Sequence, residues 1–434
     1  MNEKIRDYIK CAAAKLANTG FFHVFGSSVI NKIISFASGI ILVHILTKAD
    51  YGVYTYANTI LGFCMMLNGF GMSSAVLQVC SEKSDGEARL RVYEYGLGLG
   101  AKVNIALGGL VILIALLVPL KIEGANRYLA MMCLMPLLTF VPDLQKTYLR
   151  AELRNADYAY ANTFATAVTF VLSVMLALTI QAKGLIFAQY IAFVVTAILV
   201  RNKFGVPFAA KSKILSDDKN SLISIGGISM INNGLSSLMY YLDIFVLGLV
   251  VANENVIAAY KVATTIPTAL EFIPASVVTY VYPYFSRNRG NKPWLLSNYK
   301  KLVLSMGGAN LLITVVLCIL APLLIGLIFG EQYMDAVSPF RILVVSYFFA
   351  GTFRVISGNL LVTQRKLKFN TFVAVLSSAM NTVMNVFFIN AWQSNGAAAA
   401  TLTTAVVTGF IDTAYLLITF NKIPYVNNRN DTVV

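Results

Sequence analysis

The chain has 434 residues, of which 57% are hydrophobic and only 12% charged, and its formal net charge is +14. Soluble domains carry about 25% charged residues, so this chain, with a mean hydropathy of +0.70, cannot cover a water-facing surface; its solvent is a bilayer. The five cysteines follow no metal spacing, and no glycine loop leads into a Lys-Ser/Thr pair, so neither a metal centre nor a nucleotide cofactor is expected.

In chain order, residues 1–20 are basic and lack the apolar core of a signal peptide; they read as a cytoplasmic segment. Twelve stretches then reach the roughly 20 apolar residues that a span needs. They lie at about 22–46, 54–80, 92–120, 124–149, 156–181, 184–201, 221–251, 256–286, 300–329, 334–362, 369–391 and 396–420. A charged linker, 203–220, separates an N-terminal bundle of six (21–202) from a C-terminal bundle of six (221–421), and 422–434 form a tail. The gaps between spans are too short for a soluble domain.

The basic residues sort by side. Of the 34 Lys and Arg, 25 fall at alternate loops on one side and only Lys48, Lys121, Arg127 and Lys183 on the other. Cytoplasmic loops hold the excess of Lys and Arg, so both termini read as cytoplasmic. The basicity is therefore a topology signal with a secondary pull toward anionic headgroups, and no nucleic-acid partner is implied.

"VYTYANTI" (53–60) and "AYKVATTI" (259–266) align without gaps at the second span of each half. Six spans return the chain to the same side, so the halves would be parallel repeats with substrate between them. The expected fold is all-α: a polytopic membrane protein with twelve transmembrane helices in two parallel six-helix bundles around a central cavity.

Five cations remain within the spans: Lys32, Lys102, Lys261, Arg341 and Arg354. The acids at comparable depth are Asp143, Asp243, Glu271 and Asp412. A charge at the centre of a lipid-facing helix costs about 2.5–3.5 kcal/mol on insertion scales, so these groups must face a wet cavity, a partner or the headgroups. Lys32, Lys102 and Arg354 are nearest mid-span and are candidates for the cavity, with internal ion pairing as the alternative. Lys261 and Arg341 lie near span ends, where snorkelling also serves. Asp243 and Glu271 either pair with cations or bind a coupling proton or sodium ion, and the sequence leaves both open. Asp143 and Asp412 fall in the inner parts of their spans, in cavity or interfacial positions. Pro267 and Pro274 are seven residues apart on one face of 256–286, a spacing for a bend in one direction.

"ILTKADYGVYTYA" (45–57), "YYLDIFVLGLVVANENVIAAYKVA" (240–263), "FGEQYMDAVSPFRIL" (329–343) and "NGAAAATLTTAV" (395–406) resemble, in order, segments of the polysaccharide flippases. That family belongs to the multidrug/oligosaccharidyl-lipid/polysaccharide exporter superfamily. The resemblance runs from about residue 20 to 420. It implies a non-enzymatic carrier in the bacterial cytoplasmic (inner) membrane. Such a carrier flips an undecaprenyl-pyrophosphate-linked oligosaccharide, a polyprenyl pyrophosphate glycan such as an O-antigen unit, to the periplasmic leaflet. H+ or Na+ coupling and contact with a polysaccharide polymerase and a chain-length regulator go with that role. Lys32, Lys102, Lys261 and Arg354 fit the pyrophosphate, which needs counter-charges in a low-dielectric space. Two other readings are a cation-coupled multidrug exporter of the same superfamily and a membrane-embedded glycosyltransferase or sugar-repeat polymerase. The enzyme would need external loops larger than the few residues seen here.

Overall fold

The computed structural model describes residues 21–208 and 214–424; the expected N-terminal segment 1–20, part of the linker and most of the tail lie outside it. The described residues form helices joined by turns. In the first half these are α1 (Phe21–Ile45), α2 (Lys48–Met65), α3 (Met72–Glu82), α4 (Gly86–Leu117), α5 (Ala125–Met131), α6 (Met135–Ala151), α7 (Asn155–Ile180) and α8 (Ala182–Phe204). Then come α9 (Ser216–Val250), α10 (Glu254–Leu270), α11 (Phe272–Arg287), α12 (Lys292–Phe329), α13 (Val337–Phe349), α14 (Val355–Thr363) and α15 (Leu367–Asn421). Among the described residues eight continuous runs are long and apolar enough to cross a bilayer, two of which, Glu254–Arg287 and Glu331–Thr363, join more than one of these helices; the number is ten if each of two bent pairs is one span. The reading of twelve also takes α15 as two spans and places one at 221–251, within α9.

Helix ends in lipid must be satisfied from within the chain, and the polar residues at the starts do this. Thr47 Oγ1 accepts the Asp50 amide (3.1 Å), Asp85 accepts those of Glu87 and Ala88, and Asn253 accepts those of Asn255 and Val256. Such caps are worth about 1 kcal/mol each.

α15 has 55 residues, about 80 Å if straight, and it is not straight. Gln393 has φ 50° and ψ −123°, and Asn385 and Thr401, on either side of it, both reach the Asp243 carboxylate. The helix therefore doubles back at Gln393, where the sequence separates its last two spans. The α7–α8 corner is built the same way, on Gln181 with φ 54° and ψ −142°. Each Gln is followed three residues later by a glycine pressed on a carbonyl. A Cβ on Gly184 would lie 2.3 Å from Leu176 O, and one on Gly396 would lie 2.0 Å from Phe388 O.

Other specials repeat in register. Leu153 and Arg365 both have φ 60°. Both follow a helix end closed by an i→i−5 hydrogen bond, Arg154 N to Leu149 O (2.9 Å) and Lys366 N to Leu361 O (3.0 Å), the Schellman pattern. From Leu153 to Gln181 is 28 residues, and so is Arg365 to Gln393. From the Thr47 cap to left-handed Gly124 is 77 residues, as from the Asn253 cap to Gly330. The sequence similarity at 53–60 and 259–266 is thus part of a repeat that extends through both halves. The later copy has six extra residues between its glycine and its Schellman turn. That stretch includes a π turn, Ala350–Arg354.

The chain divides into two compact units, one ending at Tyr241 and the other beginning at Leu242. The division falls within α9, whereas the sequence places the boundary in the linker 203–220. The reason is that the start of α9 packs with the first unit. Leu222 joins the core of Met72, Val76, Tyr93, Phe140 and Leu144, and Asp218 pairs with Lys83 at 2.6 Å. The linker's first residues are stitched there too. Tyr93 OH donates to Pro207 O (2.8 Å) and Arg154 Nη1 to Phe204 O (3.0 Å).

Three expected spans contain breaks; 124–149 bends by 43° between α5 and α6. The stretch 48–82 bends by 41° where Gly69, Phe70 and Gly71 all take left-handed φ. Gly69 is required: a Cβ there would meet the Phe140 ring at 2.3 Å, and its amide donates to buried Asn104 Oδ1 (3.1 Å). In the second unit, 256–286 is interrupted at Glu271, between α10 and α11. Pro274 has no N–H to give the Leu270 carbonyl, so the ladder fails at that point.

Candidate functional site

The most organised polar cluster lies in the second unit around Asp243. This carboxylate is 9% exposed. Its Oδ2 accepts from Tyr260 OH and from Thr401 Oγ1, both at 2.7 Å, and its Oδ1 from Asn385 Nδ2 at 2.7 Å. Asn385 Nδ2 also donates to Asn381 Oδ1 (3.0 Å), while Asn385 Oδ1 is buried without a donor. The fold supplies one donor from α10 and the rest from the two arms of α15, which meet only because Gln393 reverses the helix. Among the described residues no Lys or Arg forms an ion pair with Asp243. Donors to an ionised group contribute about 1.5–3 kcal/mol each, and they offset a desolvation cost of several kcal/mol for a buried carboxylate. Both Asp243 oxygens and Asn381 Oδ1 are thus held by neutral donors, with no described cationic side chain paired to the carboxylate.

The other sequence candidates are dispersed. Lys32 on α1, Lys102 on α4 and Lys261 on α10 are exposed. Thr264 and Thr265 hydroxyls donate to the Lys261 carbonyl, not to its side chain. Arg354 is half-buried at the end of the π turn, and that turn abuts the second arm of α15, where a Cβ on Gly409 would lie 3.4 Å from Arg354 N. One turn further along is Asp412, 3% exposed, whose Oδ1 has no partner. Glu271 is exposed at the α10–α11 break. Asp143 pairs with Lys146 at 2.8 Å. Arg341 repairs a local defect in α12. Pro322 has no N–H for the Cys318 carbonyl four residues before it, and Arg341 Nε donates to that oxygen instead (3.0 Å). Among the described residues no group of three potential ligands could hold a metal ion.

Tyr260, Asn381, Asn385 and Thr401 escape a reading that counts charges, because the partners of Asp243 are neutral. The repeat contained the signal. Tyr260 stands seven residues after the Asn253 cap, and Tyr54 seven after the Thr47 cap. Thr401 and Gln189 each stand eight after their corner Gln, and Asn385 and Ser173 eight before. In the first unit Gln189 Nε2 does donate to Tyr54 OH (3.1 Å). Asp243 lies ten residues before its cap; the residue ten before Thr47 is Ala37. The first unit repeats the surround and omits the carboxylate.

Comparison with known proteins fits this architecture. The chain is 28% identical over 176 residues to a putative O-antigen transporter of Shigella flexneri, a match that takes in 40% of either chain. It is 24% identical over 379 residues to an uncharacterized membrane protein in the cps region of Klebsiella pneumoniae, covering 84% of this chain and 73% of that one. Two solved structures share the fold. An inward-facing multidrug resistance MATE family transporter of the MOP superfamily superposes with a TM-score of 0.72 at 12% identity, over 92% of this chain and 96% of that one. The lipid II flippase MurJ, in an inward closed conformation, superposes with 0.71 at 15% identity, over 92% and 88%. The family model for "Polysaccharide biosynthesis protein" matches residues 41–338, and the chain belongs to that family of membrane transporters.

Proposed function

We propose that the protein carries a polyprenyl-pyrophosphate-linked oligosaccharide from the cytoplasmic to the periplasmic leaflet of the bacterial inner membrane. It does so by alternating access, without catalysis, with both termini in the cytoplasm. A proton or sodium ion bound at Asp243 drives the cycle. The observation that supports this is the Asp243 cluster: a buried carboxylate with three neutral donors in a member of a polysaccharide family. A small cation placed there would take oxygen ligands from Asp243, Asn381, Asn385 and Thr401 and remove the cost of the unpaired charge. Tyr260 and Thr401 hydroxyls can turn their lone pairs to the ion, so binding and release rearrange α10 and both arms of α15.

Lys32, Lys102, Lys261 and Arg354 serve as counter-charges for the pyrophosphate. At an effective dielectric of about 20, one unit charge 4 Å from another gains about 4 kcal/mol, enough to repay removal of the diphosphate from water when several act together. Proteoliposomes holding the lipid-linked glycan test this, with outward-exposed sugar read by an impermeant glycan-oxidising enzyme. A sodium or pH gradient should accelerate exposure in the native protein and have no effect in Asp243→Asn. Equal response of the two proteins, or no exposure from either, overturns the proposal.

A further inference from the structure

The break in 48–82 opens a cavity in the first unit, about halfway along the bent span. Its volume is about 210 Å³, far above the roughly 10–15 Å³ that one water requires. Asn68, Ser73, Ser74 and Asn233 form its polar wall, and Met230 and Tyr241 supply apolar area. Among the described residues no acidic or basic side chain lines it. The wall has both hydrogen-bonding characters. The carboxamide of Asn233, exposed on the wall, carries an acceptor oxygen beside its donor nitrogen. Ser73 and Ser74 stand in the first turn of α3, and each adds a hydroxyl, which can donate and accept.

These features select a ligand class. A phosphate brings acceptors only; it would leave the Asn233 oxygen unmatched and meet no counter-charge among the described residues. A small cation would find no carboxylate among the described residues. An uncharged ring bearing hydroxyls donates to and accepts from Asn233, exchanges hydrogen bonds with the Ser73 and Ser74 hydroxyls, and lays its C–H face on Tyr241 and Met230. We propose that this cavity receives one neutral sugar ring, a hexose or N-acetylhexosamine, of the carried glycan. The inference rests on the glycan reading above and adds a subsite for the sugar, separate in chemistry from the cations assigned to the diphosphate. The left-handed Gly69-Phe70-Gly71 run makes the subsite, because an unbroken helix would have closed the cavity.

Saturation-transfer NMR on the full chain in nanodiscs tests it, with the methyl glycosides of glucose, galactose and N-acetylglucosamine as probes and inorganic pyrophosphate alongside. At least one glycoside should bind, with affinity reduced tenfold or more in Asn68→Leu and in Asn233→Ala and unchanged in Arg354→Ala. Pyrophosphate should show the opposite pattern. Asn233→Ala decides alone if Asn68→Leu fails to fold. A cavity that holds only water gives no glycoside signal, and that result overturns the inference, as does a signal equal in wild type and both cavity variants. Pyrophosphate binding that falls in Arg354→Ala while no glycoside binds would remove the subsite and leave the proposed function standing. Absence of both would remove the two together.

Discussion

Replacing Asp243 by Asn changes one atom and separates stability from ion binding. The variant keeps the shape and one acceptor oxygen. Three charge-assisted hydrogen bonds become neutral or are lost. Each falls from about 1.5–3 kcal/mol to about 0.5–1.5, a total loss of roughly 3–5 kcal/mol. Against that, the desolvation cost of a buried carboxylate, several kcal/mol, disappears. The two nearly cancel, so the fold should survive with stability changed by no more than about 2 kcal/mol. Ion binding does not cancel. A ligand at a hundred times its Kd stabilises the native state by about 2.7 kcal/mol, and this increment should vanish in Asp243→Asn. The assay is thermal unfolding in detergent, with sodium titrated against choline at constant ionic strength and, separately, with pH varied. If the variant gains the same sodium- or pH-dependent stability as the native protein, the ion is elsewhere and the reasoning fails.

Other predictions rest on single contacts. Arg341→Met leaves the Cys318 carbonyl without a donor and should cost about 1–3 kcal/mol; in the background of Pro322→Ala, which restores an N–H, the cost should shrink, as a double-mutant cycle by thermal unfolding would show. Gly184→Ala and Gly396→Ala drive a methyl into a backbone carbonyl, and each should cost at least the 1–3 kcal/mol typical of overpacking, seen as lost monodisperse protein on size exclusion. Arg354→Ala and Lys32→Ala should abolish surface polysaccharide while membrane protein levels, measured by blotting, persist. Ala37→Asp restores a carboxylate in the register of Tyr54 and Gln189, and should add a second ion-dependent step to the unfolding titration.

Composition and hydropathy made the fold class legible because a 57% hydrophobic chain has few alternatives to spanning helices. The last two spans were separable at 391–396 because Gln393, Ser394, Asn395 and Gly396 interrupt the apolar run. The breaks were harder to foresee. Nothing in "MMLNGFGM" reports that Phe140, distant in sequence, occupies the place of the Gly69 side chain. The site divided in the same way. Asp243 stood out as a charge in a span, whereas Asn385 and Thr401 acquire meaning only once the Gln393 reversal brings both to one carboxylate. Arg341 was visible as a cation, but its purpose depended on Pro322 standing four residues after a carbonyl on another helix.

The substitution of Ala37 where the second unit has Asp243 bears on the energy supply. With the carboxylate in one half only, an ion bound at that hollow would bring a single elementary charge per turnover. Through that ion the membrane voltage would contribute about 2.3 kcal/mol per 100 mV, in addition to its action on the charge of the diphosphate. Under the proposed function the cargo's own negative charge couples its outward passage to the same voltage, so the electrical share of each stroke would have two sources.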